Sequence, residues 1–209
     1  MAEPLLVHVI DDDEAVRDSL KLLLESAGFA ARTHAAASSF LAAAGEKADG
    51  CVITDVRMPE MDGLELQHRL AELTRIPVIV MTGHGDVPIA VEAMKAGAVD
   101  FLEKPFGDDQ LLAAVRSALA VSRQAHEEQE AIAATEARMA SLTPREREVL
   151  GELVLGKANK VIAYDLGASP RTIEVHRARV MEKMGARSLP ELVRMTLAVQ
   201  RAASPRSPR

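Results

Sequence analysis

From residue 5 to about 123, short apolar runs rich in β-branched residues alternate with helical patterns. The runs are Leu5–Ile10, Gly50–Thr54, Ile76–Met81 and Ala98–Leu102, with a weaker one at Ala30–His34. Between them, apolar residues recur at three- and four-residue spacing over 14–27, 36–44, 63–73, 86–96 and 108–123. Five such alternations predict a parallel sheet covered by helices on both faces. After residue 140 no strand-like run remains, and the pattern predicts four short helices over 144–155, 159–166, 170–184 and 189–200. The segment 124–140 has neither Gly nor Pro and is rich in good helix formers, so it should prolong the helix that starts near 108. The predicted organisation is a first domain over 3–123, a helical linker over 124–140, a second domain over 141–202 and a disordered polar tail over 203–209.

Composition agrees with two small cores. The chain has 209 residues, 48% of them hydrophobic, and its mixed charge excludes a mainly disordered protein. No apolar run approaches the roughly 20 residues that span a bilayer. The start, Met1-Ala2-Glu3-Pro4, lacks the basic and apolar blocks of a signal peptide. One cysteine excludes a disulfide framework and any Cys-based zinc site. A cytoplasmic protein with no membrane partner is expected. Taken alone the net charge of −6 disfavours nucleic acid, but division by segment changes that reading: −9 over 1–123, −3 over 124–140 and +6 over 141–209. Two modules with different partners are implied, the second suited to a polyanion.

Parallel sheets gather ligand chemistry at the carboxyl ends of their strands. The first run is followed by Asp11-Asp12-Asp13-Glu14, the second by Asp55, the third by Thr82-Gly83-His84-Gly85 and the fourth by Glu103-Lys104-Pro105. Clustered carboxylates repel one another, which a hard divalent cation such as Mg²⁺ relieves. A carboxylate beside that cation can attack phosphorus and form an acyl phosphate, with a lysine and a hydroxyl left to neutralise the phosphoryl oxygens. Four coincident strand ends outweigh the alternative of a merely solvated acidic helix start.

Asp11-Asp12, Asp55 followed by Met58-Pro59 and Gly63, Thr82-Gly83, and Phe101 with Lys104-Pro105 resemble the receiver domain of two-component response regulators, over about residues 3–123. The resemblance implies a doubly wound sheet of order 2-1-3-4-5, with Asp55 accepting phosphate from a sensor histidine kinase. It also implies Mg²⁺ held by Asp11, Asp12, Asp55 and the backbone carbonyl of Arg57. Thr82 and Phe101 would form a switch pair, and Lys104, before a cis Pro105, would meet the phosphoryl group. Arg57 and His84 occupy positions that vary in the family. On the predicted helix 86–96, Ala90, Ala93, Met94 and Gly97 share the face expected to be buried, leaving Val91 and Lys95 outward. Related proteins pair through that face, so a homodimer is expected on phosphorylation.

The basic half carries three marked helix starts: Thr143-Pro144-Arg145-Glu146, Ser169-Pro170 and Ser188-Leu189-Pro190-Glu191. Gly167-Ala168-Ser169 is a turn of helix-turn-helix length. On 170–184, Ile173, Val180 and Met184 point one way, with His176 and Arg177 on the flanks. Arg171, Val175, Ala178, Arg179 and Glu182 point the other way, with Glu174 and Lys183 at the sides. Such an outward face suits a major groove: Arg to guanine, Glu to cytosine, Val or Ala to a thymine methyl. Thr172, Lys157 and Lys160 complete the expected set of DNA contacts. Leu142-Thr143-Pro144-Arg145-Glu146, Asn159-Lys160, Ile162-Ala163 and Thr172-Ile173 are similar to the LuxR-type helix-turn-helix, although Val161 replaces a common acid. Taken together, the two halves resemble FixJ-type regulators of symbiotic nitrogen-fixation genes. That resemblance implies a non-enzymatic transcription regulator that binds double-stranded promoter DNA and works with RNA polymerase.

The enzyme alternative is a Mg²⁺-dependent phosphatase with Asp55 as nucleophile, but Arg57 sits where its acid/base is wanted. A flavin carrier of the same topology would need a Ser/Thr-rich loop where the four acids stand. A histidine kinase would need an ATP-binding motif after His126. Cys51 is expected as a buried strand residue, His8, His34 and His68 as residues without a metal role, and Tyr164 as packing between output helices.

Overall fold

The computed structural model describes residues 5–44, 49–74, 76–83 and 87–203; the expected tail over 203–209 lies outside them apart from Ala203, as does His84. The chain divides between His126 and Glu127 into two compact units.

In the first unit, β1 (Leu6–Ile10), β2 (Ala30–His34), β3 (Cys51–Asp55), β4 (Val78–Thr82) and β5 (Asp100–Glu103) form one parallel sheet of order β2-β1-β3-β4-β5. The four connections carry α1 (Glu14–Ser26), α2 (Ala37–Ala44), α3 (Gly63–Leu73) and α4 (Val87–Lys95), and α5 (Asp108–Ala140) follows the last strand. Two apolar clusters sandwich the sheet. Val7, Val9, Ile53, Ile79 and Met81 meet α1 and α5 on one face, while Ile10, Val52, Val78 and Val80 meet α2 and α3 on the other.

Several strands sit further along the chain than their apolar runs suggest. Gly50 precedes β3 at φ 103, where a Cβ would lie within 2 Å of the Leu6 carbonyl oxygen, 1.8 Å away. Pro77 has no amide to give the ladder, so β4 starts at Val78, although the Pro77 carbonyl still accepts from Val52 N. The shift makes Asp55 and Thr82 the last residues of their strands rather than the first of the loops.

In the second unit, α6 (Pro144–Val154), α7 (Asn159–Asp165), α8 (Pro170–Met184) and α9 (Leu189–Ala203) enclose a core of Leu142, Val149, Leu153, Ile162, Ile173, Val180, Met184 and Leu192. The α6 start is a complete capping box: Thr143 Oγ1 accepts from Glu146 N, and Glu146 Oε2 accepts from Thr143 N. α5 runs unbroken through the 124–140 segment, and its Met139 packs on the second core. Among the described residues, no helix is long and apolar enough to cross a membrane.

Candidate functional site

The strand ends bring the sequence-predicted groups together. Asp55 closes β3 and is 9% exposed; Asp11 follows β1 and is 2% exposed. Lys104 follows β5, and its backbone N–H donates to the Thr82 carbonyl at 2.8 Å. Its ammonium donates to both carboxylates, 3.0 Å to Asp11 Oδ2 and 2.5 Å to Asp55 Oδ1. Burial disfavours the charged amine, but hydrogen bonds and charge from Asp55 and Asp11 outweigh it and raise the Lys104 pKa. The Lys104–Pro105 peptide is cis, as the resemblance implied.

Local backbone geometry aims the two acids. Asp11 Oδ1 accepts from Asp13 N at 2.9 Å, while Asp13 caps α1 by accepting from Ala15 N. Asp55 Oδ2 accepts from Arg57 N at 2.7 Å. The loop after β3 contains Glu60 at φ 66, the one non-glycine in the left-handed region among the described residues. Gly63 then starts α3 so close to β3 that a Cβ there would lie 2.3 Å from the Asp55 carbonyl oxygen. Two supports were not apparent in the sequence: Arg17 donates to the Asp11 carbonyl at 2.8 Å, and Asp11 N donates to the His34 carbonyl at 3.3 Å. Neither carries a motif; an arginine six residues after an acid is too common to signal a role.

Asp12 remains exposed, and among the described residues no group of three or more His, Cys, Asp or Glu is arranged to hold a metal. The donor set still suits a hard cation: Asp11, Asp12 and Asp55 supply three formal negative charges against one from Lys104, and every carboxylate donor is oxygen.

Thr82 is buried and its hydroxyl donates to the Gly83 carbonyl at 3.3 Å. Phe101 is 40% exposed, half out of the sheet. Between them and α4 lies a largely apolar groove of about 450 Å³, lined among others by Val87, Val91, Met94 and Lys95. Val91 and Lys95 are outward as expected. Met94 is not on the buried face: it is 44% exposed, because the stripe against the sheet is centred on Ala90 and Ala93 and Met94 emerges at its edge. Gly97 is exposed as well, in the turn that ends the helix.

In the second unit, the expected wheel of α8 is observed. Ile173, Val180 and Met184 are buried; Arg171, Thr172, Glu174, Val175, Ala178, Arg179 and Glu182 are exposed. Ser169 Oγ caps the helix by accepting from Thr172 N at 3.1 Å, and Gly167 takes φ 61 in the preceding turn. Lys160 is exposed on α7. Three other expected contacts have partners inside the unit. Lys157 pairs with Glu152 and Asp165, Arg177 donates to Asn159 Oδ1 at 3.1 Å, and Lys183 donates to buried Glu146 at 2.7 Å. His176 is half-buried, with Nδ1 shielded and unpartnered. The lysine and the capping hydrogen bond hold the Glu146 carboxyl down to about 2. Tyr164 overturns its expectation: it is 87% exposed, since Ile162 and Ala163 fill the inward face of α7.

Cys51 is buried and its thiol is pushed up to about 12 by that burial. His8 and His34 form a buried pair, Nδ1 to Nε2 at 3.2 Å, with both rings edge-on to Phe40.

Comparison with known proteins matches both halves. Residues 7–116 match the response regulator receiver domain, and residues 140–196 match the bacterial regulatory proteins of the luxR family. The transcriptional regulatory protein FixJ of Azorhizobium caulinodans is 59% identical over 198 residues, covering 94% of each chain. The response regulator StyR is similar at TM-score 0.75 and 42% identity, covering 94% of this chain and 99% of that one. Full-length FixJ from B. japonicum is similar at TM-score 0.57 and 52% identity, covering 94% and 98%.

Proposed function

The chain belongs to the response regulators that join a receiver to a LuxR-type DNA-binding domain, and from that premise we propose that it is a transcription regulator switched by phosphorylation of Asp55. The observation that carries the proposal is the convergence of Asp11, Asp55 and Lys104 at adjacent strand ends. In the proposed step, an Asp55 carboxylate oxygen attacks the phosphorus of a phosphohistidine on a sensor kinase. The new O–P bond forms as the P–N bond breaks, and the histidine ring leaves with the electron pair. Mg²⁺, held by Asp11, Asp12, Asp55 and the Arg57 carbonyl, would supply charge neutralisation at the phosphoryl oxygens.

Lys104, already between the two acids, supplies a second positive charge to the incoming group. The phosphoryl group adds roughly −1.5 to −2 charge and three acceptor oxygens. Thr82 exchanges its long bond to Gly83 for one of those oxygens, and the space it leaves admits the half-exposed Phe101. That movement reshapes the groove beside Val91 and Lys95, the face through which two copies then pair. Pairing presents two α8 helices to adjacent half-sites in promoter DNA, where the regulator works with RNA polymerase. The exposed Arg171, Val175 and Arg179 read bases, with Thr172, Glu174, His176 and Lys160 alongside. The resemblance to FixJ-type regulators favours nitrogen-fixation and microaerobic genes as targets.

The phosphatase alternative has no support from the pocket, where Arg57 contributes its backbone N–H to Asp55. The deciding experiment is DNA selection from a random pool with the protein before and after treatment with a small acyl phosphate. Tighter, sequence-restricted selection after treatment, absent from Asp55→Asn, is expected. Equal activation of Asp55→Asn would overturn the acceptor assignment. Light scattering on the treated protein should show a dimer at tens of micromolar.

A further inference from the structure

The last turn of α5 and the last turn of α8 terminate each other. An α-helix leaves its final carbonyls without intrahelical partners, and a nearby cation satisfies them and favours the negative end of the dipole. Met184 is the last residue of α8, and its carbonyl accepts from Arg138 Nη1 at 3.2 Å. Gly185 follows at φ 66, and Ala186 N returns to the Met181 carbonyl at 3.0 Å, so the backbone already turns sharply there. In the opposite direction, Lys183 of α8 donates to the Ser141 carbonyl at 3.4 Å, just beyond the end of α5, and to Glu146 at 2.7 Å. Ser141 itself is bonded back to the Arg138 carbonyl through both its N–H, at 3.1 Å, and its hydroxyl, at 2.6 Å. Arg147 completes the turn by donating to the carbonyls of Leu142 and Ala140.

Below this polar lattice Met139 of α5 packs on the core that contains Met184. The α5 end therefore grips α8 by apolar contact and by two charge-assisted bonds running in opposite directions. Arg138, Ser141 and Glu146 lie outside α8, and Lys183 sits one turn beyond Arg179, at the edge of the Arg171–Val175–Arg179 row. Arg138 and Lys183 carry charge in a basic domain, yet their donors are directed at carbonyls and at a buried carboxylate.

We infer that Arg138 and Lys183 form a reciprocal clamp that fixes the seat of α8 from the end of α5, making them positioning residues for DNA recognition rather than DNA contacts. The inference rests on the reading of α8 as the DNA-reading helix. It moves Lys183 out of the expected contact set and gives the connector helix a hold on the reading helix itself, through residues that never touch DNA. Because the clamp orients a helix whose side chains read bases, its loss should weaken specific binding more than general attraction to phosphates.

The test uses the full chain and two duplexes of equal length: one selected from a random pool by the unsubstituted protein, the other its scrambled counterpart. Arg138 is exposed, so Arg138→Met removes the charge without hollowing the core. Arg138→Gln keeps a donor and serves if R138M melts out of the fold. Affinity for the selected duplex should fall about five- to tenfold. Affinity for the scrambled duplex and the slope of log affinity against log salt should stay within error. Arg138→Lys should recover at least half of the loss, while Lys183→Met should reproduce the loss with the slope unchanged. A phosphate contact behaves differently, lowering the slope by about 0.9 for each cation removed. A slope reduced by that amount in R138M or K183M, or undiminished specific affinity in R138M, overturns the clamp. An unsubstituted protein that selects no duplex overturns instead the DNA-binding reading beneath it.

Discussion

Gly63→Ala should impair Asp55 as a phosphoryl acceptor without any change to a charged group. The added Cβ would lie 2.3 Å from the Asp55 carbonyl oxygen and 3.1 Å from both the Asp55 carbonyl carbon and Val56 Cα. Ordinary contact begins near 3.4 Å, so the start of α3 and the end of β3 must separate by about 1 Å. The obstacle is backbone on both sides, which has no rotamer to yield. Gly63 N also donates to the Val56 carbonyl at 2.9 Å, and that bond resists the same displacement. Overpacking of this kind costs about 1–3 kcal/mol in stability. The kinetic effect should be larger, because Asp55 is aimed by short bonds from Lys104 and Arg57 N. Misplacing a reacting group by about 1 Å can cost on the order of 10²-fold in rate. The assay is the initial rate of phosphorylation by a small acyl phosphate, beside a thermal melt. Gly28→Ala is the control: its Cβ meets nothing within 4 Å, although φ is +85, so it should lose stability at an unchanged rate. A Gly63→Ala protein that is folded and phosphorylated within threefold of the parent rate would refute the steric argument.

Lys104→Met should still accept phosphate, yet gain less than about twofold in DNA affinity from it, because the cation that reads the phosphoryl charge is gone; gel shift before and after acyl phosphate checks this. His8 is held down to about 4 from 6.5 by burial first, then by the charges of His34 and Arg32, against a backbone bond to Asp49. Its folded pKa is depressed, so the unfolded chain binds the proton more readily and stability is lost as pH falls from 6.5 toward 4: about 2 kcal/mol at pH 5 and about 3 kcal/mol at pH 4. The unfolding free energy of His8→Asn should have a shallower pH slope over that window, and a His8 ring that titrates near 6.5 by NMR would sink the account. Arg179→Ala should weaken specific DNA binding by about 1–3 kcal/mol and relax sequence preference at one base pair, measurable by repeating the selection.

How much of this was legible in the sequence depends on what fixes each feature. The carboxyl ends of parallel strands converge whatever the side chains around them, so Asp11, Asp55, Thr82 and Lys104 could be grouped from strand order alone. The inward residues of α8 followed from periodicity, and Ile173, Val180 and Met184 are buried accordingly. Strand starts were less legible, because Gly50 and Pro77 belong to apolar runs but cannot take regular ladder positions. Met94 and Tyr164 were misjudged for a related reason. A wheel gives relative angles, and the rotation of α4 or α7 against its neighbours is set by Ala90, Ala93, Ile162 and Ala163 packing close to their partners.

Side-chain bonds to distant backbone leave the weakest trace of all. Arg17 on the Asp11 carbonyl and Arg138 on the Met184 carbonyl need only a cation of suitable reach, and the bonds say nothing about neighbouring residues. The same blindness affects the charge argument. The +6 over residues 141–209 pointed correctly to a basic unit, but it counted Lys157, Arg177 and Lys183 with Arg171 and Arg179 as if all faced outward. Lys157 and Lys183 are engaged by Glu152, Asp165 and Glu146, while Arg177 ties α8 to Asn159. Fewer of the unit's cations are therefore available to a polyanion than the count suggests. The available charge includes Arg171 and Arg179 on the outward side of α8 and Lys160 on α7, with Arg187, Arg194 and Arg201 exposed as well, while Arg177 and Lys183 tie α8 to Asn159 and Glu146.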